Sequence, residues 1–178
     1  MNLYNPIRLH QWSAIQDRYK EMLPNITDER LISWYGNNKE LVWISSQILD
    51  DVIEFVKKPV KIKEVILFAQ GPHNVQGLHV DGYSASRDSA SNWALNIPVL
   101  NCTQGEMIWY TGTYTYIPAT NKSNIRYLQL QWQGELPKLD SRIIDIPTIV
   151  KVDIPHSVVN HSNKKRLMLS VRFTPDLF

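Results

Sequence analysis

Hydrophobic and polar positions change rhythm once along this chain, near Pro59. Before it the spacing is helical. From His10 to Leu23, Trp12, Ile15, Tyr19 and Leu23 recur at three- and four-residue intervals, and Pro24 ends the pattern. Thr27 opens a second expected helix running through Leu31 and Trp34, although its capping box holds Arg30 where Glu or Gln belongs. Asn38 to Lys57 carries the clearest stripe, with Leu41, Ile44, Ile48, Val52 and Phe55 on one face and Lys57, Lys58 and Pro59 at its end.

Beyond Pro59 the period shortens to two. Val60 to Phe68, Gly77 to Asp81, Trp93 to Leu100, Met107 to Ile117, Arg126 to Trp132, Ile143 to Val152, Ser157 to Val159 and Arg166 to Phe173 read as strands. They are rich in β-branched and aromatic residues, and Gly, Pro, Asn and Ser separate them. Helices first and about eight strands afterwards mean an α+β fold rather than a parallel βαβ sheet. The expected architecture is a double-sheet jelly roll (cupin-like) over residues 60–178, with the helices of residues 1–59 covering one sheet in a single domain.

Composition narrows the chemistry. The 178 residues suffice to bury a core without a metal or disulfide, and 43% hydrophobic with 20% charged is ordinary globular usage. No apolar run reaches the ~18 residues of a membrane span, and the first residues lack the basic and apolar regions of a signal peptide. The expectation is a soluble, cytoplasmic protein. A pI near 8.6 with scattered lysines and arginines disfavours nucleic acid as a partner. The lone Cys102 excludes an internal disulfide and a cysteine-built zinc site, and reads as a small buried residue. Histidine and carboxylate must therefore supply most of any chemistry.

His79-Val80-Asp81 places an imidazole and a carboxylate on one face of a strand. A His-x-Asp alone is common by chance, but the C-terminal segment adds to it. There His156 starts a strand, His161 to Lys164 form a polar turn, and a strand returns from Arg166, a layout expected to be a hairpin. In the returning strand Leu167, Leu169, Val171 and Phe173 alternate with Arg166, Met168, Ser170 and Arg172, so an apolar face can pack under the helices. Two histidines and one carboxylate with open positions describe a non-haem iron(II) facial triad. An arginine nearby can hold the far carboxylate of a dicarboxylic cosubstrate through two parallel hydrogen bonds.

With His79-x-Asp81, then His156, then Arg166 ten residues on, the sequence resembles the iron(II)- and 2-oxoglutarate-dependent oxygenase superfamily over roughly residues 60–178. The segments from Trp93 to Leu100 and from His156 to Phe173 are similar to small bacterial and phage-type members and to aspartyl/asparaginyl β-hydroxylase-like domains. The resemblance implies a double-stranded β-helix, with His79, Asp81 and His156 as iron ligands and Arg166 as anchor of the 2-oxoglutarate C5 carboxylate. It implies oxidative decarboxylation of 2-oxoglutarate by O2 to succinate and CO2, coupled to hydroxylation of a small molecule, amino acid or peptide side chain. Asp81 stands where halogenating relatives usually carry a small residue, which favours hydroxylation. His161 with Arg172, eleven residues on, remains an alternative to His156 with Arg166.

Further candidates surround this set. Asn96 and Ser170 are expected cosubstrate contacts. Tyr83 and Arg87, in the loop from Gly82 to Asn92, lie where a lid over the iron belongs and are candidate substrate contacts, as are Gln129 and Trp109. Tyr127 and Gln131 share the strand of Gln129. His10 and His73 read as surface residues, and most tryptophans as core. Other readings are a non-catalytic jelly-roll or cupin-like binding module, and a cupin metalloenzyme that uses no 2-oxoglutarate. Arg166 argues against the first, and the lack of a histidine pair close in sequence against the second.

Overall fold

A computed structural model describes residues 2–22, 31–81, 91–120 and 126–178, with the backbone alone at 119, 120 and 126–129. Two helices, α1 (Trp12–Lys20) and α2 (Lys39–Val56), stand among strands β1 (Tyr4–Pro6), β2 (Leu31–Tyr35), β3 (Lys61–Gln70), β4 (Val75–His79), β5 (Trp93–Leu100) and β6 (Gly105–Tyr110). The remaining strands are β7 (Thr113–Thr120), β8 (Arg126–Gln133), β9 (Lys138–Ile143), β10 (Thr148–Lys151), β11 (His156–Asn160) and β12 (Arg166–Thr174). They form two six-stranded sheets, in the orders β1-β10-β5-β12-β3-β2 and β7-β8-β4-β11-β6-β9. Every pairing among the described residues is antiparallel. The α+β jelly roll expected from the alternation is what the chain forms.

Helix α2 starts where Asn38 accepts a hydrogen bond from the Glu40 amide at 2.8 Å, and ends at Lys57 in the left-handed region. Its stripe of Leu41, Ile44, Ile48 and Val52 is fully buried. It packs on the outer face of the first sheet, against Val65 and Leu67 of β3 and Leu167, Leu169 and Val171 of β12. Burying each such side chain contributes about 2 kcal/mol. The inner face of that sheet meets the second sheet over another cluster, which includes Ala94, Met107, Trp109, Val150, Val152 and Met168. β12 is thus buried on both sides for eight of its nine residues. No helix among the described residues is long and apolar enough to cross a membrane.

Several elements differ from the sequence expectation. Leu31–Tyr35 is an edge strand on β3, not a helix; its aromatic and β-branched residues suit a half-covered sheet edge, and the missing Glu or Gln removes the helix-starting bond. Thr27 itself lies outside the described residues. The single strand expected from Met107 to Ile117 is two, broken at Gly112, whose φ of +137° L side chains rarely adopt. β1 and β9 are additional strands, and the segment from Ile143 becomes a strand of its own only at Thr148, after Pro147. The expected C-terminal hairpin is a crossover. β11 lies between β4 and β6 in the second sheet, β12 between β5 and β3 in the first. The turn between them is fixed by Asn160, whose Nδ2 donates to the Gly71 and Lys164 carbonyls at 2.8 Å each. His156 and Arg166 therefore face each other across the sandwich.

The helices are clipped together by Glu40. Its carboxylate accepts from Arg18 Nη2 at 2.7 Å and from Tyr19 Oη at 2.5 Å. Burial pushes the Glu40 carboxyl up, but these donors outweigh it and hold its pKa below the ordinary 4.5. A depressed folded-state pKa gives stability that is present above pH 4.5 and lost as pH falls through the lowered value. Glu40→Gln should cost about 1 kcal/mol at pH 7 in urea unfolding, with the difference from wild type shrinking as the pH is lowered below 4.5.

Candidate metal centre

His79 closes β4 and His156 opens β11, and the antiparallel register makes them direct cross-strand partners. Their rings stand 4.4 Å apart, tilted by 55°. Asp81 follows two residues past the end of β4, its amide donating to the Val152 carbonyl at 2.9 Å. His79 Nδ1 lies 2.6 Å from the Gly77 carbonyl, and His156 Nδ1 lies 2.9 Å from that of Ile154. A carbonyl only accepts, so both Nδ1 atoms carry hydrogen and both Nε2 atoms are left to act as ligands. Those Nε2 atoms approach Asp81 Oδ1 at 3.2 and 3.9 Å. One ligand atom from each of the three residues lies within 4.8 Å of the others. Three acceptors converging on one point can hold a cation between them, so the residues fit a divalent metal.

Electrostatics support the same reading. Burial and the neighbouring His79 push His156 down to about 4, so its imidazole is neutral and available near neutral pH. Burial also opposes charging of His79, but the Asp81 carboxylate beside it raises its pKa overall. Burial would raise Asp81, yet Arg172, His79 and His156 hold it far below the usual carboxylate range. Arg172 Nη2 donates to Asp81 Oδ2, leaving Oδ1 turned toward the histidines. Arg172 Nη1 donates to Ser170 Oγ at 2.6 Å, and Ser170 Oγ to Asn96 Oδ1 at 2.5 Å. A chain of four polar residues thus reaches from the first sheet to the triad.

Arg166 lines the same pocket as the triad, together with Phe68, Met107, Val158 and Met168. It is 4% exposed, and its Nη1 donates to Gln70 Oε1 at 2.7 Å. Its Nε is buried without a hydrogen-bond partner among the described residues. Burial lowers its pKa, but a guanidinium at this depth keeps its charge. A buried cation with an unsatisfied donor can anchor an anion.

The expected residues are distributed as follows. His79, Asp81 and His156 come together, and Arg166, Asn96 and Ser170 line the pocket beside them. Asn96 and Ser170 make their bonds along the Arg172 chain. Trp109 requires correction as a substrate contact: it is wholly buried in the sandwich, its Nε1 donating to the Lys151 carbonyl and its ring stacked on Tyr4. Gln129 has its backbone opposite His79 in β8. Tyr83 and Arg87 lie outside the described residues. His161 is exposed and bonds Glu106 at 3.0 Å, so the pairing of His161 with Arg172 does not form at this site. Sequence reasoning missed Gln70, Gln76 (whose amide nitrogen lies 3.2 Å from His79 Nε2) and the partner of Arg172. The available signal was that Arg166 and Arg172 share one face of β12.

The fold is similar to several solved structures. The non-heme alpha ketoglutarate dependent carbocyclase SnoK from nogalamycin biosynthesis superposes over 96% of this chain and 78% of its own, at 10% identity and a TM-score of 0.53. A prolyl-4-hydroxylase from Pseudomonas putida does so over 97% and 92%, at 9% identity and 0.51. EctD from S. alaskensis does so over 96% and 72%, at 9% identity and 0.52. No family model matches the sequence, and no curated protein matches it. The likeness shows the fold alone, a double-stranded β-helix.

Removing Arg172 would strand the Asp81 charge in a largely buried setting. Arg172→Leu should cost about 3 kcal/mol of stability in urea unfolding. Adding Asp81→Asn to that variant should restore most of the loss, because no unpaired charge then remains.

Proposed function

We propose that the protein is an iron(II)- and 2-oxoglutarate-dependent oxygenase that hydroxylates a small molecule, amino acid or peptide side chain. One observation carries this reading: a single pocket holds both the convergent His79, Asp81, His156 set and a buried arginine with a free donor. A structural ion cluster has no use for the second feature, and a plain anion site none for the first.

In this reading His79 and His156 supply Nε2, and Asp81 supplies Oδ1 to iron(II). Held there, the metal would supply the activation of O2, with 2-oxoglutarate and substrate converted to succinate, CO2 and the hydroxylated product. The chain's own work is positioning. The Gly77 and Ile154 carbonyls fix the tautomer and tilt of the two imidazoles. Arg172 neutralises the outer carboxylate oxygen of Asp81 and keeps the inner one turned to the site. Arg166 grips the distal carboxylate of the cosubstrate, and Phe68, Met107, Val158 and Met168 exclude water around its carbon chain. The similarity to SnoK, prolyl-4-hydroxylase and EctD supports the reading at the level of fold.

Purified protein with iron(II) should convert 2-oxoglutarate to succinate under air, slowly without substrate. His156→Ala and Asp81→Ala should each weaken manganese(II) binding at least ~100-fold and abolish turnover. Turnover persisting in either variant would overturn the triad. Arg166→Ala should raise the KM for 2-oxoglutarate by about 100-fold while manganese affinity stays at the wild-type value.

A further inference from the structure

The pose of Arg166 depends on a residue that has no side chain. Arg166 leaves β12 in the first sheet and crosses toward the second, where its side chain lies flat against Gly105 at the start of β6. A Cβ at position 105 would overlap Arg166 Nε and stand 2.8 Å from Cδ and 3.2 Å from Cζ. Ordinary contact begins near 3.4 Å, so the two cannot coexist in this pose. Gly105 cannot retreat, because its backbone is held on three sides. Its amide donates to the Cys102 carbonyl at 3.0 Å, its carbonyl accepts from the Ile144 amide at 3.3 Å, and it pairs with Asn160 across β11. Nor is Arg166 a loose surface chain, being 4% exposed. The conflict falls on the middle of a buried side chain rather than on a mobile tip.

Gln70 fixes the other end. At the last position of β3 and paired in register with Arg166, it accepts from Nη1 at 2.7 Å and donates to the Val158 carbonyl at 3.2 Å. Gln70 thereby ties the guanidinium to β11, two residues from His156. Gly105 gives Arg166 room and Gln70 aims it, while Nε is left without a partner.

The geometry points to Gly105 and Gln70 as positioning residues that set where Arg166 presents its charge, and so set the affinity for the dicarboxylic cosubstrate. This rests on the oxygenase reading above. Neither residue is placed to touch the metal ligands' coordinating atoms, so their effect should be confined to the anion end of the pocket. Displacing a binding group by about 1 Å can cost two orders of magnitude.

The test is calorimetric titration of 2-oxoglutarate into manganese-loaded protein, with manganese affinity and thermal midpoint measured alongside. Gly105→Ala should weaken 2-oxoglutarate binding at least tenfold and leave manganese affinity within twofold of wild type. In turnover, the KM for 2-oxoglutarate should rise more than kcat falls. Gln70→Glu offers Arg166 a competing carboxylate and should weaken 2-oxoglutarate binding by a similar factor. Wild-type cosubstrate affinity in both variants would overturn the inference. So would a loss of manganese affinity equal to the loss of 2-oxoglutarate affinity, since that marks general disruption. If Gly105→Ala does not fold, Gln70→Glu decides alone: weakened cosubstrate binding supports the inference and unchanged binding overturns it. Failure of wild-type protein to bind 2-oxoglutarate at all would instead overturn the oxygenase reading.

Discussion

One strand has to satisfy two environments, and most of the molecule is arranged around it. β12 sits at the middle of the first sheet with the helices on one side and the second sheet on the other. Strict alternation lets it serve both. Leu167, Leu169, Val171 and Phe173 bury themselves with α2, while Arg166, Met168, Ser170 and Arg172 turn into the sandwich. A one-residue slip would exchange the two sets, putting two guanidinium groups under the helices and aliphatic chains into the pocket. Such a penalty fixes the register of β3 and β5 beside it, and through β3 the edge strand β2.

The pocket is a compact arrangement of charges that would be costly singly. Asp81 is tolerable because Arg172 and two imidazoles surround it, and Arg172 because Asp81 and Ser170 take its donors. Arg166 is different. Among the described residues Gln70 and the neighbouring Cys102 side chain engage it, and its Nε has no partner there. Internal compensation is complete around one buried arginine and incomplete around the other. That asymmetry separates the two arginines, and it is what the proposed reading draws on when it gives Arg166 an anion to hold.

How much was legible in the sequence follows from the range of each interaction. The stripe of α2 and the shared face of His79 and Asp81 are local periodicities, and both appear as expected. The alternation of β12 correctly assigned one face to the helices. The pairing of sheets was less visible. Asn160 to Lys165 has the composition of a hairpin turn, and only the long-range partners β6 and β5 show that the chain crosses the sandwich there. Leu31–Tyr35 was misjudged for the same reason, since its strand exists by virtue of β3, some thirty residues away. Arg172 is paired with the wrong residue in the sequence reading, with His161 rather than Asp81, because its carboxylate lies 91 positions earlier. Gly105 stands two residues before the expected strand from Met107, and nothing local marks it; that it faces a guanidinium is a tertiary fact.

The split of the pocket between sheets has a mechanical corollary. His79 and His156 belong to the second sheet, Arg166 and Gln70 to the first. A metal-bound dicarboxylate would bridge the two layers like a rivet, and any breathing of the sandwich would have to break it. By linkage, metal and cosubstrate should then tighten each other's hold, and both should suppress opening of the layers more than either alone. In the oxygenase reading proposed above, the protein's rigidity would be partly borrowed from its ligands, greatest while both are bound and relaxed again as product departs.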